Sequence, residues 1–277
     1  MVLLCETTVD PITILASTVV LLVLALVFGI VLAFCGKKLA VKEDERIGQV
    51  RSKLSGANCG GCGYAGCDAF AKAVVEGKAD VSLCNATSAA NKKAIGEIMG
   101  VAVNTEATRI VVACNGGNNA VDKYEYMGYG DCRSMELLAG GRKQCSWGCL
   151  GMGSCTDSCP THAIEVGMDG FAVVNNDKCI TCGKCLLACP KHLTKRIPAD
   201  AKVYVACSNC LRGGKDVRAI CKVGCLGCGL CAKNCPAGAI EMVDNLPHID
   251  YSKCIGCGLC ADKCPAKCIK KLEVFDL

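Results

Sequence analysis

The chain has 277 residues, 28 of them cysteine, with aromatics at only 4% and a formal net charge of +5. So few aromatics make an ordinary core thin, and metal binding then becomes part of the folding free energy. The basic excess comes with no aromatic-interleaved stripe and no helix-turn-helix pattern, which excludes nucleic acid as the expected partner.

Residues Pro11 to Phe34 carry no charge and are mostly Leu, Val, Ile and Ala. An uncharged run of that length predicts a membrane-spanning helix in the lipid bilayer. A signal peptide would show a shorter apolar stretch, a positive start and a small-residue cleavage site. Here Glu6 and Asp10 precede the run, and Lys37, Lys38 and Lys42 follow it. The positive-inside rule then puts the bulk of the chain, after Gly36, on the cytoplasmic side of the cell (inner) membrane as a single-pass protein. No ionisable side chain lies inside the span, so the helix is expected to anchor and not to conduct ions.

Val41 to Leu54 reads as a charged linker, helical or extended. Next comes Cys59-x2-Cys62-x4-Cys67-x16-Cys84, its first three thiols in a glycine-rich loop. Glycines there let backbone N–H groups approach cluster sulfurs closely. Zinc is the rival metal on spacing alone. Gly61 to Gly66 also fits G-x-G-x-x-G, but no hydrophobic strand precedes it and cysteines occupy the loop, so nucleotide binding is rejected. Asp68 to Glu76 predicts a short helix stopped by Gly77, and Asn85 to Gly100 predicts another.

From Thr108 the chain repeats itself. Arg109-Ile-Val-Val-Ala-Cys114 resembles Lys202-Val-Tyr-Val-Ala-Cys207, and each predicts a buried strand. Cys145-x3-Cys149-Leu-Gly-Met-Gly-Ser-Cys155-x3-Cys159-Pro160 then matches Cys221-x3-Cys225-Leu-Gly-Cys-Gly-Leu-Cys231-x3-Cys235-Pro236, each running into Ala-Ile-Glu at an expected hairpin strand. The first copy continues into Cys179-x2-Cys182-x2-Cys185-x3-Cys189-Pro190 and the second into Cys254-x2-Cys257-x2-Cys260-x3-Cys264-Pro265.

This is the bacterial ferredoxin spacing. Three thiolates in one tight loop reach three irons of a cubane, and the Cys-Pro thiolate crosses to the neighbouring cluster. Cys225, Cys228, Cys231 and Cys264 are therefore assigned to one [4Fe–4S] cluster, and Cys254, Cys257, Cys260 and Cys235 to its neighbour. In the first copy Cys179, Cys182, Cys185 and Cys159 form one set. Met152 stands where Cys228 stands, and a neutral thioether replaces a thiolate poorly. Cys145 is the expected substitute, giving Cys145, Cys149, Cys155 and Cys189. Three hooks within seven residues plus a Cys-Pro suit a cube better than one zinc ion. Disulfides would close very tight loops in a reducing compartment.

Five [4Fe–4S] clusters are thus expected. At about −2 each they would bring the net charge to roughly −5. Cys207, Cys210 and Cys221, with Cys114 or Cys132, leave a sixth open. Cys5, Cys35 and Cys268 read as ordinary thiols, and His162, His192 and His248 as isolated residues near turns. The fold class is α+β. The domains expected are a tail and transmembrane anchor over 1–36, a linker over 37–52, a four-cysteine [4Fe–4S] domain over 53–100, and tandem ferredoxin-like units over 101–200 and 201–277.

A transmembrane anchor, a Cys-x2-Cys-x4-Cys-x16-Cys module and tandem ferredoxin motifs, in that order, resemble the B subunits of Rnf complexes. The four-cysteine module also resembles the cluster domain of the corrinoid iron–sulfur protein. The Rnf resemblance covers nearly the whole chain. It implies a component of a membrane-bound, ion-translocating ferredoxin:NAD+ oxidoreductase. Such a component accepts electrons from soluble reduced ferredoxin and passes them to membrane and flavin-containing subunits. The residues agree, since they offer many one-electron centres and no NAD site or catalytic triad. The four-cysteine module, closest to the anchor in sequence, would be the exit. The alternatives are a membrane polyferredoxin of another respiratory complex, or an iron–sulfur sensor or scaffold.

Overall fold

The computed structural model describes residues 11–38, 44–103 and 105–272. The chain divides into two compact units, Met1–Glu45 and Arg46–Leu277.

The first unit is built on helix α1, Pro11–Lys38. Its apolar side chains point in every direction, so no stripe is reserved for packing on a protein core. Leu15, Leu22, Phe28 and Leu32 are all exposed. The stretch Ile14–Gly36, 23 residues long, reaches about 34 Å at helical rise, enough for a bilayer's hydrocarbon core. Its two hydroxyls are satisfied within the helix, Ser17 Oγ donating to the Ile14 carbonyl and Thr18 Oγ1 to that of Leu15, each at 2.9 Å. Hydrocarbon demands such internal pairing. Glu6, Asp10 and Lys42, which carry much of the orientation argument, lie outside the described residues, as does Cys5.

The second unit opens with α2 (Glu45–Lys53), α3 (Cys67–Val75) and α4 (Ala89–Met99). These three helices share one small core of Val50, Leu54, Phe70, Val74 and Ile95, together with Cys67 and Cys84. The charged stretch expected as a linker thus folds as α2 and contributes Val50, which is fully buried. Arg51 Nε pairs with Asp68 Oδ1 at 2.7 Å across α2 and α3. Helix α4 starts at Ser88, whose hydroxyl accepts from Asn91 N–H, and stops at Gly100 in the left-handed region. Both are ordinary helix end signals.

The remainder is a duplicated arrangement. In the first copy come β1 (Thr108–Val112), α5 (Cys132–Leu137), α6 (Ser154–Asp157), β2 (Ile164–Val166), β3 (Ala172–Val174), α7 (Lys184–Ala188) and β4 (Thr194–Pro198). The second has β5 (Val203–Val205), α8 (Gly214–Ile220), α9 (Leu230–Lys233), β6 (Ile240–Val243), β7 (Leu246–Ile249), α10 (Leu259–Asp262) and β8 (Ile269–Lys271). In each, the first strand pairs antiparallel with the last, β1 with β4 and β5 with β8, while the middle strands form a hairpin, β2 with β3 and β6 with β7. The four short helices that follow the cysteine loops each begin at a glycine with positive φ: Gly153, Gly183, Gly229 and Gly258. A Cβ is disfavoured in that conformation, which turns the chain from loop into helix at each motif.

The cores of these copies are partly made of thiols. In the second, Cys207, Cys225, Cys231, Cys260, Cys264 and Cys268 pack with Val203, Leu246 and Ile269. In the first, Cys114 and Cys155 pack with Val112, Ile164 and Leu193. By contrast Phe70 is the one large aromatic anchor of the three-helix core, 1% exposed and edge-on to Tyr64. Phe70→Ala should cost about 3–5 kcal/mol of that module's stability. Urea unfolding followed at the module should show its transition moving to lower denaturant while the rest of the unit holds.

Candidate metal centres

Among the described residues, no three Cys, His, Asp or Glu side chains converge tightly enough for a single metal ion. The thiols instead stand around small hollows, four of which are of similar size and partly open to solvent. Their similar size and all-sulfur donor sets suit one kind of occupant, a cluster of iron and sulfide, better than a point ion.

The first hollow is lined by Cys59, Cys62, Cys67 and Cys84. Asn58 Oδ1 accepts from the Cys67 N–H at 2.9 Å, bracing the loop where it enters α3. Thr87 Oγ1 lies 3.2 Å from Cys84 Sγ. The second is lined by Cys225, Cys228, Cys231 and Cys264, one of the sets expected from spacing. Cys268 shares it, 1% exposed, with its sulfur 3.6 Å from Cys264 Sγ. Hydrogen bonding with the Cys268 thiol holds Cys264 down to about 5 and Cys225 to about 7.

The third hollow is lined by Cys132, Cys149, Cys155 and Cys189. Cys145, expected in this set, is not among its lining residues; Cys132 is. The reason lies in the repeat lengths: 31 positions separate Cys114 from Cys145, but only 14 separate Cys207 from Cys221. The additional chain carries α5, whose start is capped by Asp131. There the Cys132 N–H donates to Ser154 Oγ at 2.8 Å, fastening α5 to α6 beside the hollow. Thus a thiol from an insertion lines the hollow to which the Met152 position brings none.

Cys145 lines the fourth hollow instead, with Cys114, Cys207 and Cys221. These are two equivalent pairs, Cys114 and Cys145 from the first copy, Cys207 and Cys221 from the second. The hydrogen bonds repeat as well. Cys114 Sγ accepts from the N–H groups of Gly116 and Cys149, each at 3.4 Å. Cys207 Sγ accepts from Asn209 and Cys225, at 3.5 and 3.3 Å. Asn209 also lines this hollow, 2% exposed, and its Nδ2 has no hydrogen-bond partner. A buried donor facing sulfur ligands fits an occupant carrying sulfide acceptors. Cys210, one of the thiols left open in the sequence, is outside the hollow, with its sulfur donating to the Ser208 carbonyl.

For the two remaining expected sets, electrostatics bring Cys159, Cys179 and Cys182 to bear on Cys185, and Cys254 and Cys257 on Cys260. Burial first, and then Cys179, Cys182 and Cys159, push the Cys185 thiol up to about 11. Cys260 is raised by burial and then by Cys254 and Cys257. Cys235 belongs to the same pattern as the other Cys-Pro thiols, its sulfur accepting the Ala239 N–H at 3.3 Å as Cys159 accepts that of Ala163.

Burial also pushes Cys149 and Cys207 up to about 12, and Cys145, Cys155 and Cys231 up to about 11. Thiols this reluctant to ionise become ligands only when a cation displaces their protons. Two buried ammonium groups act on thiols of the fourth hollow. Lys143, with a 2% exposed side chain, pairs with Asp122 and counters burial at Cys221. Lys191 does the same for Cys145 and is held inward by Glu136 Oε2 at 2.7 Å and by the Gly140 and Ser146 carbonyls.

Comparison with known proteins agrees with an iron–sulfur reading. Residues 54–86 match a family described as a putative Fe-S cluster, 145–201 an LdpA Fe-S cluster-binding domain, and 224–269 a 4Fe-4S dicluster domain. The chain is 43% identical over 87% of its length, and 72% of the relative's, to the B subunit of the Na+-translocating ferredoxin:NAD+ oxidoreductase complex of Acetobacterium woodii. It is 41% identical, over 86% and 90%, to the B subunit of the ion-translocating oxidoreductase complex of Methanosarcina acetivorans. It is 40% identical, over 87% and 85%, to the B subunit of the proton-translocating ferredoxin:NAD+ oxidoreductase complex of Clostridium ljungdahlii.

The membership of Cys132 and Cys145 is testable by counting iron. Cys145→Ala and Cys114→Ala should each remove about four irons per chain, and their combination no more than either alone. Cys132→Ala combined with Cys145→Ala should remove about twice as much as either alone. An equal loss in that double variant and its singles would return Cys145 to the Cys149 set.

Proposed function

Since this chain belongs to the B-subunit family of ion-translocating oxidoreductase complexes, we propose that it works as an unbranched relay of six [4Fe–4S] centres. It is an electron-transfer subunit of such a complex, held with the other subunits at a membrane. The relay takes electrons from reduced ferredoxin on the cytoplasmic side and delivers them toward flavin-bearing partners that reduce NAD+. Each centre, when bound, carries one electron at a time. The relatives include both a sodium- and a proton-translocating complex, so the likeness favours neither ion.

The carrying observation is the succession of thiol sets. The set of Cys254, Cys257, Cys260 and Cys235 neighbours that of Cys225, Cys228, Cys231 and Cys264 through the crossed Cys-Pro thiols. Cys225 donates its N–H to Cys207 Sγ, and Cys149 donates its own to Cys114 Sγ. The set of Cys114, Cys145, Cys207 and Cys221 therefore links the two copies by one hydrogen bond on either side. Next come Cys132, Cys149, Cys155 and Cys189, then Cys179, Cys182, Cys185 and Cys159, and last Cys59, Cys62, Cys67 and Cys84. N–H donors aimed at ligand sulfurs tune potential, and the surrounding apolar shell limits water access.

Ferredoxin is proposed to enter at the Cys254 end. Cys257 and Ile255 are exposed there, the latter 65%. Lys253, Lys263, Lys267 and Lys270 are exposed in the same stretch of chain. Lys191, although basic in the sequence, is turned inward and takes no part. An acidic donor steered by such a patch should reduce the full-length chain at a rate that falls as salt rises. Stopped-flow reduction by ferredoxin should show that dependence, weakened when Lys253, Lys263, Lys267 and Lys270 are changed to Gln. A rate indifferent to ionic strength would remove this entry face.

The orphaned Asn209 donor gives a second prediction. Asn209→Leu should keep the iron content and shift one midpoint potential negative, because a hydrogen bond to sulfur favours the reduced, more negative form. An EPR-monitored redox titration in which every midpoint stays fixed would take Asn209 out of that role.

A further inference from the structure

We infer that Gly61 is a positioning residue that sets the spacing between the last two stations of the relay; this rests on reading the thiol sets around Cys84 and around Cys182 as iron–sulfur centres. A Cβ at Gly61 would collide with the Cys182 carbonyl oxygen and would stand 3.1 Å from the carbonyl carbon and 3.4 Å from the Cys182 Cβ. The clash is with backbone, so no rotamer change relieves it. Cys182 accordingly lines the hollow of Cys59, Cys62, Cys67 and Cys84, although its own loop belongs to the neighbouring set.

The residue before Cys182 is strained toward the same contact. Thr181 has φ of 53°, unusual for a β-branched side chain. Two hydrogen bonds hold it there. Its Oγ1 donates to the Asn85 carbonyl at 2.8 Å, one residue beyond Cys84, and its own carbonyl accepts from Arg196 Nη2 at 3.2 Å. Backbone strain persists only where surrounding structure over-determines it. Here it brings two ligand loops from different modules into backbone contact. With both centres bound, that contact would hold their ligand loops together for the transfer of one electron from the centre held by Cys182, oxidising it, to the centre held by Cys84, reducing it.

The test uses the full-length, anaerobically loaded chain. The Cys84 centre's EPR signal is identified by its loss in Cys84→Ala, and its magnetic interaction with the neighbouring centre is read from the fully reduced spectrum. Gly61→Ala should keep the wild-type iron and sulfide content and lose that interaction. Thr181→Val, which removes only the hydroxyl link to Asn85, should weaken it. An undiminished interaction in Gly61→Ala with full iron would overturn the proposal. If Gly61→Ala fails to load the Cys84 centre, Thr181→Val decides, and an unchanged interaction there overturns it. Wild-type protein without iron–sulfur signals would instead remove the underlying reading, a distinguishable result.

Discussion

The metal centres of the second unit depend on buried sulfur giving up its proton. The thiols of Cys149 and Cys207 are pushed up to about 12, chiefly by burial. Left protonated, they are small, poorly packing side chains in copies that have few aromatic groups to replace them. Ionised and bound to iron, they become covalent ties between loops and hairpins. Metal binding and folding are then one free energy. The same burial that makes the thiols hard to ionise also limits the water that reaches the centres, which helps set their potentials.

Duplication explains how the ties multiply. Each copy pairs its first strand with its last and hangs two cysteine loops between them. Placing two copies side by side brings Cys114 and Cys145 opposite Cys207 and Cys221, and a further four-thiol hollow arises at the seam. The seam is not perfectly symmetric, because Asn209 occupies the place that Gly116 has in the first copy. An otherwise equivalent pair of loops thereby acquires one additional hydrogen-bond donor. The first copy departs again at Met152, where the insertion bearing α5 brings in Cys132. The second departure keeps four sulfurs in its hollow while changing where one of them comes from.

Much of this is legible in the sequence, for a definite reason. Cysteines three and four positions apart can only close a tight loop, so the local motifs around Cys225, Cys254 and Cys179 fix their own geometry. The apolar run of α1 and the two repeat strands are equally local signals. Cys132 and Cys145 are not separable this way, since each reaches its hollow through long-range packing that spacing does not encode. The usable signal is the unequal distance from Cys114 to Cys145 and from Cys207 to Cys221, together with the equivalence of those four thiols. Cys268 reads as an ordinary buried thiol because nothing in its spacing reveals the neighbouring Cys264 sulfur at 3.6 Å.

The most direct measurement of the central claim is metal and sulfide stoichiometry on anaerobically isolated full-length chain. Six cubane centres require about 24 iron and about 24 acid-labile sulfide per polypeptide. A brown protein with that content, zinc being negligible, is the expected result. Colourless protein containing zinc and no labile sulfide would contradict the account from its first step.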